Sequence, residues 1–223
     1  TQNGIDRFDP GTGERTRHID FPAGLAQFWR PVFASRGNQV AVGLDEHSVV
    51  LVDVETQKVK TFSLGTAVTA LAISPDGGQL AVGFLDKSIA LVDVERGNTL
   101  WRVTGFTESS FADVEFDVEF RQQLDNDPRL KIYSSPEATQ PFFESGVLAL
   151  AWMENGDLAA TSSGYVRRFS ATDGRLAAEA VLLSKAIDGP RPSQANALHL
   201  VDGQLVATAV LTSYVFDNDL RLI

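Results

Sequence analysis

An internal repeat restricts this chain more than any other feature of its sequence. Residues 79–96 read QLAVGFLDKSIALVDVER, and residues 39–56 read QVAVGLDEHSVVLVDVET, with no gap needed to superimpose them. Ten of the eighteen positions are identical, among them Gln39/Gln79, Gly43/Gly83, Ser48/Ser88 and Asp53/Asp93. Self-similarity at a period of about forty, built from short apolar runs, predicts radially repeated β-structure. A unit of that size is a small sheet that hides its faces only by stacking against its neighbours.

The repeat extends in both directions. Residues 3–20 read as two strands around a turn, with Asp9 close to where Asp53 and Asp93 sit, so the chain opens on the last two strands of a unit. Residues 28–65 make a whole unit, with strands at 28–33, 39–44, 48–54 and 58–64. The unit at 67–105 repeats it, with SPDGG (74–78) as its first turn. The central strands carry Val, Leu and Ala on both faces, so both faces need cover. From 146 the period returns, with strands at 147–153, 158–162, 165–169 and 176–183; the alanine-rich last one is placed as a strand by its position in the repeat. A loop at 188–193 crosses to a final unit at 195–223.

Residues 106–145 break the period. Nine acidic side chains face three basic ones there, so the stretch carries −6 of the chain's net −10. Val114, Phe116, Val118 and Phe120 alternate with Glu115, Asp117 and Glu119, the pattern of a half-buried strand with a charged outer face. The stretch reads as an inserted β-hairpin, with an eroded extra unit as the alternative.

Residues 74–93, SPDGGQLAVGFLDKSIALVD, resemble a WD40-type β-propeller repeat. That family reads Ser-Pro-Asp-Gly, an apolar strand, a glycine, an aspartate before Ser/Thr, and a strand ending in Trp-Asp. Asp86 takes the place of the structural aspartate, Ser88 of the Ser/Thr, and Asp93 (with Asp53 one unit earlier) of the final aspartate. Val92 stands where the tryptophan would be, and Glu46 replaces the aspartate in the preceding unit, so the repeat is a degenerate one. The likeness covers about three quarters of the chain. It implies an all-β propeller of four-stranded antiparallel blades over residues 1–223, with about four full blades and a partial one. Propellers have about four to eight blades, so either 106–145 is a degenerate blade completing a small ring, or the ring is larger or closed by a partner. The family is associated with non-catalytic scaffolds for protein assembly. Two local likenesses point elsewhere: residues 96–105 are similar to the tryptophan-docking repeat of quinone-cofactor dehydrogenases, and residues 3–22 to repeats of antibiotic-lyase and sensor-kinase propellers. A propeller enzyme or cofactor binder is therefore the alternative, and His18 or His199 would be its base.

Composition narrows the partners. There is no cysteine, which excludes disulfides and thiolate metal sites and leaves the compartment open, the cytoplasm being slightly favoured. Three histidines, His18, His47 and His199, are far apart in the repeat, so no metal site and no cofactor is expected. A net charge of −10 opposes nucleic-acid binding, and no apolar run reaches a membrane span of about 18 residues. The expected partner is another protein, with the chain as a subunit of a complex. Trp29 and Arg30, at the entry to a first strand and aligned with Thr69 and Ala70, are candidate anchors, set against a tryptophan packed between blades. Glu115, Asp117 and Glu119 are a candidate surface for a basic partner, set against a solvated edge that resists aggregation.

Overall fold

Short runs of Val, Leu and Ala bounded by Gly, Asp and Ser turns become strands in a computed structural model of the chain, nineteen of them among the described residues. It describes residues 4–22, 32–43, 47–106, 146–162, 164–186, 189–192, 195–209 and 212–223. Two strands, β1 (Gly4–Phe8) and β2 (Arg15–Asp20), form a half-blade. Blade 1 is β3 (Val32–Arg36), β4 (Gln39–Gly43), β5 (Ser48–Asp53) and β6 (Val59–Ser63). Blade 2 is β7 (Val68–Ile73), β8 (Gln79–Phe84), β9 (Ser88–Asp93) and β10 (Thr99–Thr104). Blade 3 is β11 (Ala149–Trp152), β12 (Leu158–Ser162), β13 (Tyr165–Phe169) and β14 (Leu176–Val181). A small hairpin, β15 (Leu183–Ala186) and β16 (Gly189–Pro192), precedes blade 4: β17 (Ala195–Val201), β18 (Gln204–Ala209) and β19 (Ser213–Phe216). Each blade is an antiparallel meander in chain order.

The cores lie between sheets rather than inside any one of them. Val49, Leu51 and Phe62 of blade 1 meet Leu71, Leu80 and Val82 of blade 2. Ala81, Ile89 and Leu91 of blade 2 meet Leu150, Leu158 and Phe169 of blade 3. Ala159 and Val166 of blade 3 meet Leu205, Tyr214 and Phe216 of blade 4, and Ile19 of the half-blade meets Val42, Val50 and Val52. Both faces of β8 and β9 are therefore buried, which is why these strands read as unbroken apolar runs. The first strands β3, β7, β11 and β17 are close neighbours in succession. The blades thus fan out from a shared inner side, the arrangement of a β-propeller.

Several expectations shift. The first strand of blade 1, expected at 28–33, is described over Val32–Arg36 and runs three residues further, because a two-residue turn at Gly37-Asn38 replaces the longer 74–78 turn; residues 28–31 lie outside the described residues. Val32 pairs with Gly43 as Ala70 pairs with Gly83, so Val32, not Arg30, is the counterpart of Ala70. The 188–193 loop is in part a strand, since Ala186 and Gly189 close the β15–β16 hairpin. The short strand expected at 219–223 is reduced to one bridge, Leu222 to Phe216. The strand and hairpin expected within 106–145 fall, apart from Phe106, outside the described residues.

Candidate interaction surfaces

One turn recurs between third and fourth strands and fixes how neighbouring blades meet. Asp9 Oδ1 accepts the amides of Gly11 and Thr12 at 2.8 and 2.9 Å. Asp53 Oδ1 accepts those of Glu55 and Thr56 at 3.0 and 2.8 Å, and Asp93 Oδ1 accepts that of Arg96 at 2.8 Å. These short side chains satisfy amides that the turn would leave bare. The amide of Thr12, then that of Gly11, holds the Asp9 carboxyl below its ordinary pKa, and Thr56 does so for Asp53. Four residues past the turn's first position the backbone enters the left-handed region, at Gly13, Gly97 and Gly174 but also at Gln57 (φ 59°).

The carbonyl that follows each turn's first position is a docking point for the preceding blade. Arg17 on β2 donates to Val54 O at 2.7 Å, and Lys60 on β6 to Val94 O at 2.8 Å. Trp101 on β10 donates through Nε1 to Ala171 O at 2.8 Å. Arg17, Lys60 and Trp101 are equivalent, for each pairs with the residue two before the turn: Arg7, Leu51 and Leu91. On β14 the equivalent residue is Ala178, which has no donor. Arg168, its neighbour on β13, reaches Asn218 O and the Asp219 carboxylate instead. Sequence reasoning missed this series because its members differ chemically. The only signal was position, seven or eight residues after the turn aspartate.

A second network closes the opposite end of blade 2. Asp86 accepts the Ser88 amide at 3.0 Å and the Ser88 hydroxyl at 2.5 Å, and pairs with Arg102 at 3.1 Å. Arg102 also donates to Ser88 Oγ at 3.0 Å and lies 4.2 Å above the centre of the Phe84 ring. Burial pushes the Asp86 carboxyl up, but Ser88 and Arg102 together hold it below its ordinary pKa. In blade 3, Arg167 is buried, donating to Glu179 at 2.5 Å and Gly105 O at 2.8 Å.

The histidines do not gather. His18 lies between two carboxylates, Nδ1 2.7 Å from Asp6 and Nε2 3.0 Å from Asp20, and its ring sits over Gly4. The bond to Asp6 first and to Asp20 second raises its pKa above the ordinary value, so it keeps its proton to higher pH and is a poor base. His199 is exposed on β17, paired with Val206. Among the described residues no group of three His, Cys, Asp or Glu could hold a metal ion, and no helix is long and apolar enough to cross a membrane. Trp29, Arg30, Glu115, Asp117 and Glu119 lie outside the described residues. The connections that carry them, β2 to β3 and β10 to β11, both run from the outer strand of one blade to the first strand of the next.

Comparisons with known proteins agree with this geometry. Residues 32–111 match the model of the anaphase-promoting complex subunit 4 WD40 domain. No curated protein matches the chain. A chain in the crystal structure of the mitotic checkpoint complex superposes with a TM-score of 0.64 at 14% identity, over 97% of this chain and 55% of that one. The chain thus spans about half the length of that structural relative, and at such low identity the likeness establishes the fold alone. Repeat, blade geometry and the structural match converge on one conclusion: the chain has the fold of a β-propeller, and over residues 32–111 it is similar to the WD40 family.

Proposed function

We propose that the chain is a non-catalytic scaffold, a subunit that binds another protein through the connections at one end of its blades. The observation that carries this reading is where the polar side chains are spent. Arg17, Lys60, Trp101, Arg102, Arg167 and Arg168 hold one blade to the next or to its own turns, and His18 is clamped by Asp6 and Asp20. A frame held in that way is rigid, and its connections vary freely without disturbing it. The two longest, around Trp29–Arg30 and around Glu115, Asp117 and Glu119, join equivalent strands and so start from the same end of the propeller. The family model and the structural relative both belong to protein complexes, which supports a subunit role. The net charge of −10 favours a basic protein partner over nucleic acid.

The test is capture of a partner from the source extract by the tagged chain, with the mass of the complex measured by size exclusion. Trp29→Ala and the triple reversal Glu115→Lys, Asp117→Lys, Glu119→Lys should each reduce capture at least tenfold with the circular dichroism spectrum unchanged. Full capture by both variants would remove these surfaces from the proposal.

A further inference from the structure

The turn that joins β11 to β12 carries chemistry that the frame does not need. Residues 153–157 read Met-Glu-Asn-Gly-Asp, and Glu154, Asn155 and Gly156 are exposed. Asn155 folds its side chain back onto Asp157. Its Oδ1 accepts the Asp157 N–H at 3.0 Å, and its Nδ2 donates to Asp157 Oδ2 at 3.1 Å. Gly156 has a φ of 85°, and a Cβ there would meet nothing within 4 Å, so the peptide after Asn155 stands in open space. The same turn is a junction between blades. Asp157 pairs with Arg168 at 3.5 Å, and Arg168 reaches on to Asn218 O and the Asp219 carboxylate of blade 4. Arg168 stands there in place of the donor that Ala178 lacks. Glu154 lies against the turn between β17 and β18, where a Cβ on Gly203 would be 2.9 Å from its Oε2.

We infer that Asn155 is a modification site: it converts spontaneously to aspartate and isoaspartate, and the new carboxylate loosens the Arg168 tie between blades 3 and 4. The Gly156 nitrogen attacks the carbonyl carbon of the Asn155 side chain. A carbon–nitrogen bond forms, the Gly156 proton passes through water to the side-chain nitrogen, and ammonia leaves behind a five-membered imide. Water then opens the ring at either carbonyl, giving aspartate or an isoaspartate whose main chain runs through the former side chain. Glycine hinders the attack least, having no Cβ. The Asp157 N–H already points at the oxygen that turns negative during the attack, and so supports it there. The Gly156 N–H must first leave Met153 O, to which it donates at 3.1 Å, so opening of this exposed turn gates the rate. In the product Asp157 Oδ2 has lost a donor and gained a like charge beside it. That repulsion disfavours the ionised pair, and Asp157 relieves it by turning away, which breaks its contact with Arg168. The isoaspartate also lengthens the main chain by a methylene between the residues that touch blade 4.

The sequence supplies a clean readout. Trypsin cuts after Lys131 and Arg167, and residues 132–167 contain no asparagine besides Asn155, so one peptide reports the site. In the folded 223-residue chain held at neutral pH, this peptide should gain the mass of an amide-to-acid conversion, with an isoaspartyl form beside the aspartyl one. It should do so at least tenfold faster than the peptides of Asn38 and Asn98, which precede Gln39 and Thr99. Asn155→Asp, the product made directly, should melt several degrees below the wild type. In an Asp157→Asn background the same change should leave the melting temperature where it was, because no second carboxylate remains to repel. Conversion no faster than at Asn38 and Asn98 would overturn the inference. So would an Asn155→Asp variant as stable as the wild type, or one equally weakened with and without Asp157.

Discussion

Two glycines that are identical in the repeat should respond in opposite ways to the same substitution. Gly43 is the last residue of β4 and Gly83 the last but one of β8, and the two occupy matching positions in the repeat. A Cβ at Gly43 would meet Val68 Cγ1 at 3.4 Å and Val32 Cβ at 3.6 Å, ordinary contacts. A Cβ at Gly83 would lie 2.6 Å from both Cβ and Cγ1 of Val147 and 3.2 Å from Ala70 Cβ. Val147 has little room to retreat, being fully buried and tied to blade 2 by the hydrogen bond its N–H donates to Phe84 O at 3.0 Å. Gly83→Ala should then cost about 1–3 kcal/mol, the usual penalty of overpacking a filled core. Gly43→Ala should gain up to about 0.5–1 kcal/mol, because it removes a glycine from the paired end of a strand and makes only ordinary contacts. At about 2–4 °C per kcal/mol for a chain of this size, thermal melts followed by circular dichroism should separate the two variants by several degrees, with the wild type between them. Equal melting temperatures, or Gly43→Ala as the less stable, would refute the blade spacing on which the reasoning rests.

Other changes follow from the turns and the cross-blade bonds. Gln57→Gly relieves a left-handed residue that glycine fills in three other blades, and should stabilise by up to about 1 kcal/mol; Gly97→Ala should cost about 1–2 kcal/mol, both read from urea unfolding. Trp101→Phe keeps most of the ring but loses the donor to Ala171 O, so it should cost about 0.5–1.5 kcal/mol, and a variant as stable as wild type would show that the bond holds nothing. His18 has a folded pKa raised above 6.5, so its bonds to Asp6 and Asp20 contribute fully below about pH 6.5 and fade as pH rises through the folded value. Melting temperature should fall over that window in the wild type and not in His18→Gln; parallel pH profiles would dismiss the clamp.

The fold was legible because it is written in burial. Strands buried on both faces have to be apolar throughout, and β12 and β13 fall at residues 158–162 and 165–169, where the period placed them. The first strand of blade 1 escaped because turns change length without changing the core. A two-residue turn moved β3 while its pairing with β4 kept Val32 opposite Gly43. The hairpin at Leu183–Pro192 escaped for another reason, since its Gly-Pro-Arg-Pro strand carries the residues that ordinarily mark a loop. The difference between Gly43 and Gly83 is invisible in sequence, because it lies in which residue arrives from the next blade.

The cross-blade bonds explain why so degenerate a repeat still stacks. An arginine, a lysine and a tryptophan do the same work at one position, because the acceptor is a backbone carbonyl whose place is set by the turn. Any long side chain with a donor at its end is sufficient there, so the position drifts while the geometry persists. Where it becomes Ala178, Arg168 supplies the bond from the adjacent strand. The Asp86 network follows the same logic, with Arg102 on β10 closing it although Val92 stands where the family has tryptophan. Asp93 and Ser170 illustrate it again, for both open a turn closed by a glycine four residues on, Gly97 and Gly174. What the fold holds constant is backbone position, and side chains are exchangeable wherever they only need to reach it. The connections that leave the frame are under no such constraint, which is why the repeat says least about them.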